Sequence, residues 1–465
     1  MGLGGFGGGV GVARWLTSQG ARVTVTDRAP ADKLGPALAA LAGYDIRLVL
    51  GEHRESDFRD TDLVIVNPAV PDGNPFLAAA RDAGVPITTE INLFVTRCRA
   101  TTVGVTGSVG KSTTVAMIEH ALAECGFVRP IHAEGAALPP HLRGERRVWL
   151  GGNIGASLLS VLPDITADDV VILELSSFQL HRTPQAAWSP HIAAITNVSP
   201  NHLDWHASFD EYRDDKLNIF RHQSASGEAL IGDDAGLVEQ VRFLRSEHPR
   251  GAWRIAVDSA GLAAARALHA RCVADAVPLP ATPLKLSAPG AHNQRNAALA
   301  LAATGLIGVT PDAAAAALER FAGLPHRLQR VAERGGVTYF NDSKSTTPEA
   351  ALTAISAFDG EVPLLVILGG YDKHVDLSPV AQLAARRARF VACIGATGPT
   401  LAEGVRAAGG RAEMLGSLAE AVAACRANAR PGDIILLSPA CASWGQFSDF
   451  RERGEAFTRL VTGDA

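Results

Sequence analysis

Thr106-Gly107-Ser108-Val109-Gly110-Lys111-Ser112-Thr113 is the stretch whose reading decides the fold. The apolar run at 102–105 predicts a buried strand before it, and 114–122 predicts a helix behind it. A strand, a glycine turn and a helix N-terminus gather backbone N–H donors at the positive end of a helix dipole, which makes an anion site. On this reading Gly107, Ser108, Gly110 and Thr113 cradle phosphate, Lys111 reaches the outer phosphates of a nucleotide, and the Ser112 hydroxyl holds Mg²⁺. Val105 stands where the longer G-x-x-x-x-G-K-[ST] pattern has its first glycine, so the motif is the shorter T-G-x-x-G-K-[ST] form.

The rest of the chain must supply what this loop acts on. Its 465 residues exceed one ordinary core and predict about three domains. A formal charge of −5 argues against a strongly basic surface, and so against a nucleic-acid partner. Six cysteines lie scattered without C-x-x-C pairs, a usage that fits a reduced cytoplasm rather than a disulfide framework or a zinc site. No run of about 18 uncharged apolar residues predicts a membrane span. The first residues lack the basic and apolar regions of a signal peptide.

Gly2-Leu3-Gly4-Gly5-Phe6-Gly7 is a G-x-G-x-x-G pattern, followed by a predicted helix and a strand at 22–26 ending in Asp27. Glycines with an acidic residue about 20 positions on suit a ribose-binding site. The strand that should precede the glycines is missing, so 1–98 reads as a nucleotide-binding domain without its first strand. A second strand, 63–67, ends at Asn67 and a proline-rich loop, 68–73.

Beyond the phosphate loop, Gly151-Gly152-Asn153 follows a short apolar run, and the strand 170–173 delivers Glu174 at its carboxyl end. A carboxylate ending a strand beside a phosphate loop is placed for magnesium. Another strand, 192–197, leads to His202 and Asp204. Lys216, on a predicted helix, reads by itself as a surface lysine. Residues 226–286 carry little pattern, and Asn293 and Asn296, three apart, share one helix face. The pattern restarts after Gly323-Leu324-Pro325-His326-Arg327. Polar clusters then follow strands at 341–347, 369–373 and 438–444, and predict a third, Rossmann-like domain.

Taken together these motifs resemble the Mur ligase family. They are T-G-S-V-G-K-S-T at 106–113, G-G-N-I-G at 151–155, E-L-S-S-F-Q-L at 174–180 and N-V-S-P-N-H-L-D at 197–204. G-L-P-H-R at 323–327, N-D-S-K-S-T at 341–346, G-G-Y-D-K at 369–373 and S-P-A-C-A-S-W at 438–444 complete the order. The resemblance implies an α/β, three-domain architecture: a Rossmann-like UDP-sugar domain at 1–98, a central ATP-binding domain at 99–323, and a Rossmann-like glutamate domain at 324–465. It implies a monomeric cytoplasmic enzyme that uses ATP and two Mg²⁺ ions to add D-glutamate to UDP-MurNAc-L-Ala through an acyl-phosphate, a step of peptidoglycan synthesis. A related ligase adding L-glutamate, or acting on another muropeptide or a folate, is the alternative.

Carried over by motif, Lys111, His202 and Lys216 are the catalytic set, with Lys216 carbamoylated. Ser112, Glu174, His202 and the modified Lys216 are the metal ligands. ATP contacts extend from the phosphate loop to Asn293, Asn296, Arg327, Asp342 and Lys344. Gly4, Asp27, Asn67 and Asn153 fall to the UDP-sugar, and Thr346, Lys373, Ser443, Trp444 and Phe450 to glutamate. Two other readings are weaker. A nicotinamide oxidoreductase leaves Gly110-Lys111-Ser112-Thr113 and the last domain's clusters without a role, and a nucleotide switch predicts hydrolysis indifferent to amino acid.

Overall fold

The computed structural model describes residues 1–3, 7–130, 144–202, 205–232, 252–255, 284–358 and 362–463. Gly4, Leu203, Asp204 and most of 226–286 therefore lie outside the described residues. Two compact units account for the chain: Met1–Pro283 with Arg295–Leu318, and Leu284–Gln294 with Glu319–Ala465.

In the first unit β1 (Val23–Asp27) pairs in parallel with β2 (Ile46–Leu50), and β3 (Val64–Ile65) with β4 (Ile87–Thr88). Residues 1–3 run between these ribbons: Gly2 N donates to Thr26 O at 2.8 Å, Met1 N donates to Ile65 O at 2.8 Å, and Met1 O accepts from Asn67 N at 3.0 Å. Residues 1–3 thus hydrogen-bond through their backbone to both ribbons.

A six-stranded parallel sheet follows, ordered β10-β9-β8-β5-β7-β6. Its strands are β5 (Thr101–Thr106), β6 (Val148–Gly152), β7 (Val170–Glu174), β8 (Ile192–Ile195), β9 (Glu228–Ile231) and β10 (Ala252–Ile255). β7 and β8 are buried along their whole length, as an apolar strand covered on both faces must be. Chain order reverses at β5, which has β7 on one side and β8 on the other. The carboxyl end at such a reversal is where an open α/β sheet leaves a crevice for ligand.

The core of this unit is continuous across both parts. Val12, Ile91 and Phe94 from the N-terminal region pack in one cluster with Trp149, Leu173 and Ile195 of the larger sheet. Helix Gly8–Ser18 comes so close that a Cβ on Gly11 would overlap Ser157.

The second unit carries a sheet ordered β11-β12-β16-β13-β14-β15. β11 (Gln329–Arg334) is an antiparallel edge; β12 (Val337–Asn341), β13 (Leu364–Gly369), β14 (Ala388–Ile394), β15 (Ala412–Met414) and β16 (Ile434–Leu437) are parallel. Along β13 the side chains alternate between two cores: Leu364, Val366 and Leu368 on one face, Leu365 and Ile367 on the other. Because β12, β16 and β13 are adjacent and parallel, their three polar strand ends share one edge.

Candidate active site

The phosphate loop closes β5 and opens the helix Lys111–Glu124. Gly110 caps that helix at φ 90°, and a Cβ there would lie 2.5 Å from Asn296 Oδ1, so only glycine fits. Gly107 has φ 141°, and a Cβ would overlap Thr196 Oγ1 just past β8. The neighbouring strand end holds the loop in place. Asn197 Nδ2 donates to Val109 O at 2.9 Å, and Ser108 Oγ donates to Ser199 O at 2.9 Å beside Tyr212 OH.

Two lysines converge on one carbonyl. Lys111 Nζ donates to Gly107 O at 2.8 Å and to Ser108 O at 3.1 Å, while Lys216 Nζ donates to Gly107 O at 3.0 Å. Lys216 is only 2 % exposed, which corrects its reading as a surface lysine. Helix Phe209–Arg221 turns it inward with Tyr212, Leu217 and Phe220, away from the charged residues of the outer face. Burial, and then repulsion from Lys111, pushes its ammonium well below the usual lysine range; Asp215 and Glu174 oppose the shift.

Glu174 ends β7, with Oε1 accepting from Asn153 Nδ2 at 3.0 Å. Its Oε2 is buried without a hydrogen-bond donor. A carboxylate oxygen so placed is costly unless a cation faces it, and oxygen donors such as Glu174 and the Ser112 hydroxyl are what Mg²⁺ takes. Asn153 orients this carboxylate through that hydrogen bond.

His202 sits on the loop after β8 at φ 54°, an uncommon backbone state for a side chain of its size. Its ring meets Phe178 edge-on at 5.0 Å. A second acidic cluster lies nearby. His181, Glu211 and Asp215 have ligand atoms within 4.8 Å of one another, but both His181 nitrogens already face carboxylates. Those hydrogen bonds, to Asp215 first and to Asp72, hold the imidazolium up to about 9 against its burial.

Asp27 spends Oδ2 on Leu3 N (2.8 Å) and Oδ1 on Ala29 N (2.8 Å), fixing the turn around the N-terminal residues. Asn67 Oδ1 accepts from Ala69 N at 3.0 Å and shapes the loop after β3.

In the second unit Asp342 is buried, with Oδ2 accepting from Ser438 Oγ at 2.8 Å and Oδ1 from Leu328 N at 3.1 Å; burial raises its carboxyl to about 7. Arg327 and Lys344 stand beside it, Arg327 as a favourable charge and Lys344 through its backbone on His326 O. Lys344 Nζ lies 5.2 Å from the Phe450 ring, and Thr346 N donates to Lys344 O. Ser443 is buried and Trp444 exposed, the indole meeting Lys373 Nζ at 5.1 Å and Tyr371 at 5.4 Å. Asn293 Nδ2 donates to Pro289 O at 2.7 Å.

Arg453, which the sequence reading passes over, ties these loops together. It is 1 % exposed and donates to Ser343 Oγ, Ser343 O and Cys441 O at 3.0, 2.8 and 3.0 Å. A signal existed: Arg453, Phe457 and Val461 recur every four residues on the buried face of helix Phe450–Thr462.

Such a sheet, with a phosphate loop at its reversal point and an open carboxylate and a buried lysine against it, defines a nucleotide-using phosphate-loop enzyme. Family models place the Mur ligase MurD-like N-terminal domain at 1–89, the Mur ligase middle domain at 105–304 and the glutamate ligase domain at 326–441. A UDP-N-acetylmuramoylalanine–D-glutamate ligase of a Roseiflexus species is 38% identical over 99% of this chain and 97% of its own. The ligase of the same name from Symbiobacterium thermophilum is 38% identical over 96% and 94%. Among solved structures, the UDP-N-acetylmuramate–alanine ligase of Thermotoga maritima shares the fold, with a TM-score of 0.55 at 20% identity over 100% of this chain and 98% of its own. The chain belongs to the Mur ligase family.

Proposed function

We propose that the chain is the ATP-dependent ligase that joins D-glutamate to UDP-N-acetylmuramoyl-L-alanine. The carrying observation is a phosphate loop, with Lys111 and Lys216 gathered at Gly107 O, inside a chain similar along 99% of its length to a D-glutamate ligase. A carboxylate is a poor electrophile. A carboxylate oxygen of the alanyl group attacks the γ-phosphorus of ATP, ADP leaves with the electron pair of the broken P–O bond, and that carboxylate oxygen becomes part of a leaving group. The glutamate amine then forms the C–N bond, loses a proton, and inorganic phosphate departs with the C–O electron pair.

The residues divide this work. Gly107, Ser108, Gly110, Lys111, Ser112 and Thr113 hold the phosphates, and Asn293, Asn296, Arg327, Asp342 and Lys344 hold the rest of ATP. Ser112 and Glu174 would bind one Mg²⁺, His202 and a carbamoylated Lys216 a second. Bound there, magnesium neutralises the phosphate oxygens as charge moves. Lys216 suits the modification because burial and the Lys111 charge push its ammonium toward the free amine, the form that attacks CO₂, and the carbamate converts a cation into a metal-binding anion. Gly4, Asp27, Asn67 and Asn153 serve the UDP-sugar, Asn153 by aligning Glu174. Lys373 pairs with a glutamate carboxylate, and Thr346, Ser443, Trp444 and Phe450 line its pocket.

The three parts at 1–98, 99–323 and 324–465 act in one chain, so a cytoplasmic monomer suffices. The test is phosphate release from purified protein with UDP-MurNAc-L-Ala, ATP and each glutamate enantiomer. Release is expected with the D form alone; release with the L form selects the related-ligase alternative, and release with neither removes the ligase reading.

A further inference from the structure

The loop 67–74 after β3 is tied to the larger sheet of its unit by side chains that the chemistry above leaves unused. Asp72 is the hub. Its Oδ1 lies 2.7 Å from Arg182 Nη1, and its Oδ2 accepts from His181 Nε2 at 2.9 Å. Arg182, wholly buried, also donates Nη2 to Val70 O at 2.9 Å, and Trp205 Nε1 donates to Ala69 O at 2.9 Å. From the far side of the same imidazole, Nδ1 lies 3.0 Å from each Asp215 oxygen. Asp215 immediately precedes Lys216, whose Nζ reaches Gly107 O. Contacts therefore run unbroken from loop 67–74 to the phosphate loop.

Surface loops are ordinarily left free to move, and a fully desolvated arginine is costly unless paired. Here Arg182, 0 % exposed, is spent on holding a loop. We infer that Asp72, His181 and Asp215 form a positioning bridge that sets the muropeptide-side loop at a fixed distance from the phosphate loop, so that the alanyl carboxylate meets the γ-phosphate. The inference rests on the ligase reading for the substrate it names. None of the three touches the reacting atoms; they act through the loop and through the helix that carries Lys216. A misplacement of about 1 Å between reactants can cost on the order of a hundredfold in rate, which is the scale at which such a bridge matters.

The experiment uses the full chain and the variants His181→Ala, Asp72→Asn and the double. Steady-state kinetics should show kcat/KM for UDP-MurNAc-L-Ala falling about tenfold to a hundredfold, with the KM for ATP within about twofold of the parent. The double variant should lose less than the sum of the singles, because the two share the His181–Asp72 contact while Asp72 also meets Arg182 and His181 also meets Asp215. Additive losses, or equal damage to every substrate's KM, would overturn the bridge in favour of a general structural role. Hydrogen exchange in the ligand-free protein supplies a readout independent of turnover. Amides of 67–74 should lose protection in His181→Ala while those of β5 keep it. Unchanged protection of the loop would sink the bridge, whereas a parent enzyme inactive on UDP-MurNAc-L-Ala would sink the ligase reading instead. Should His181→Ala fold poorly, His181→Gln, which keeps one donor, carries the same comparisons.

Discussion

Lys216 shows how far the meaning of one residue depends on what surrounds it. In the sequence it is a lysine among Asp214, Asp215 and Asn218 on a polar helix, and nothing in the side chain distinguishes it from a solvated one. The fold removes its water, sets Lys111 against it, and leaves it one hydrogen bond to Gly107 O. An amine so placed gives up its proton more readily than a solvated lysine, which favours reaction with CO₂. Protein equilibrated with ¹³C-bicarbonate should therefore show a carbamate carbon resonance that Lys216→Ala lacks, and that variant should lose about a hundredfold or more in kcat. A parent spectrum without the carbamate signal would remove the modification and leave Lys216 as a phosphate-loop cation.

At the scale of elements, the polar loops at the ends of β12, β13 and β16 are brought side by side by parallel pairing, and helix Phe450–Thr462 locks two of them through Arg453. Burial lowers this guanidinium to about 10, still charged at neutral pH, because carbonyl and hydroxyl oxygens replace its water. Arg453→Leu keeps the apolar stem but orphans Ser343 O and Cys441 O. It should cost about 3 kcal/mol in urea unfolding and raise the KM for glutamate more than that for the nucleotide sugar. Equal KM values for parent and variant would confine Arg453 to stability alone.

On the scale of the molecule, the N-terminal part and the larger sheet share one core, and a hydrogen bond crosses it: Ser157 Oγ donates to Glu90 Oε1 at 2.5 Å. Glu90 opens the helix Glu90–Val95, whose dipole favours the carboxylate, yet burial prevails and raises the group to about 7. A carboxyl whose folded value lies above its unfolded value of 4.5 gives stability that is complete below 4.5 and is lost as pH rises through about 7. Glu90→Gln should thus gain on the parent in urea midpoint between pH 5 and 8; a constant difference would mean the carboxyl titrates normally.

Much of this architecture was legible in the chain. The apolar runs gave β5, β7, β8, β13 and β16 because strands buried on both faces must be continuously hydrophobic. The phosphate loop was legible because Thr106-Gly107 and Gly110-Lys111-Ser112 stand between an apolar run and a helical pattern, the local order that an anion-binding turn needs. Such signals are local and written in neighbouring residues. The hydrogen bonds of residues 1–3 to both N-terminal ribbons, the burial of Lys216 and Arg453, and the bridge from Asp72 through His181 to Asp215 were decided only by tertiary structure. Their partners stand tens to more than a hundred positions apart, and a side chain's charge state and role depend on which atoms replace its water, which no local pattern records.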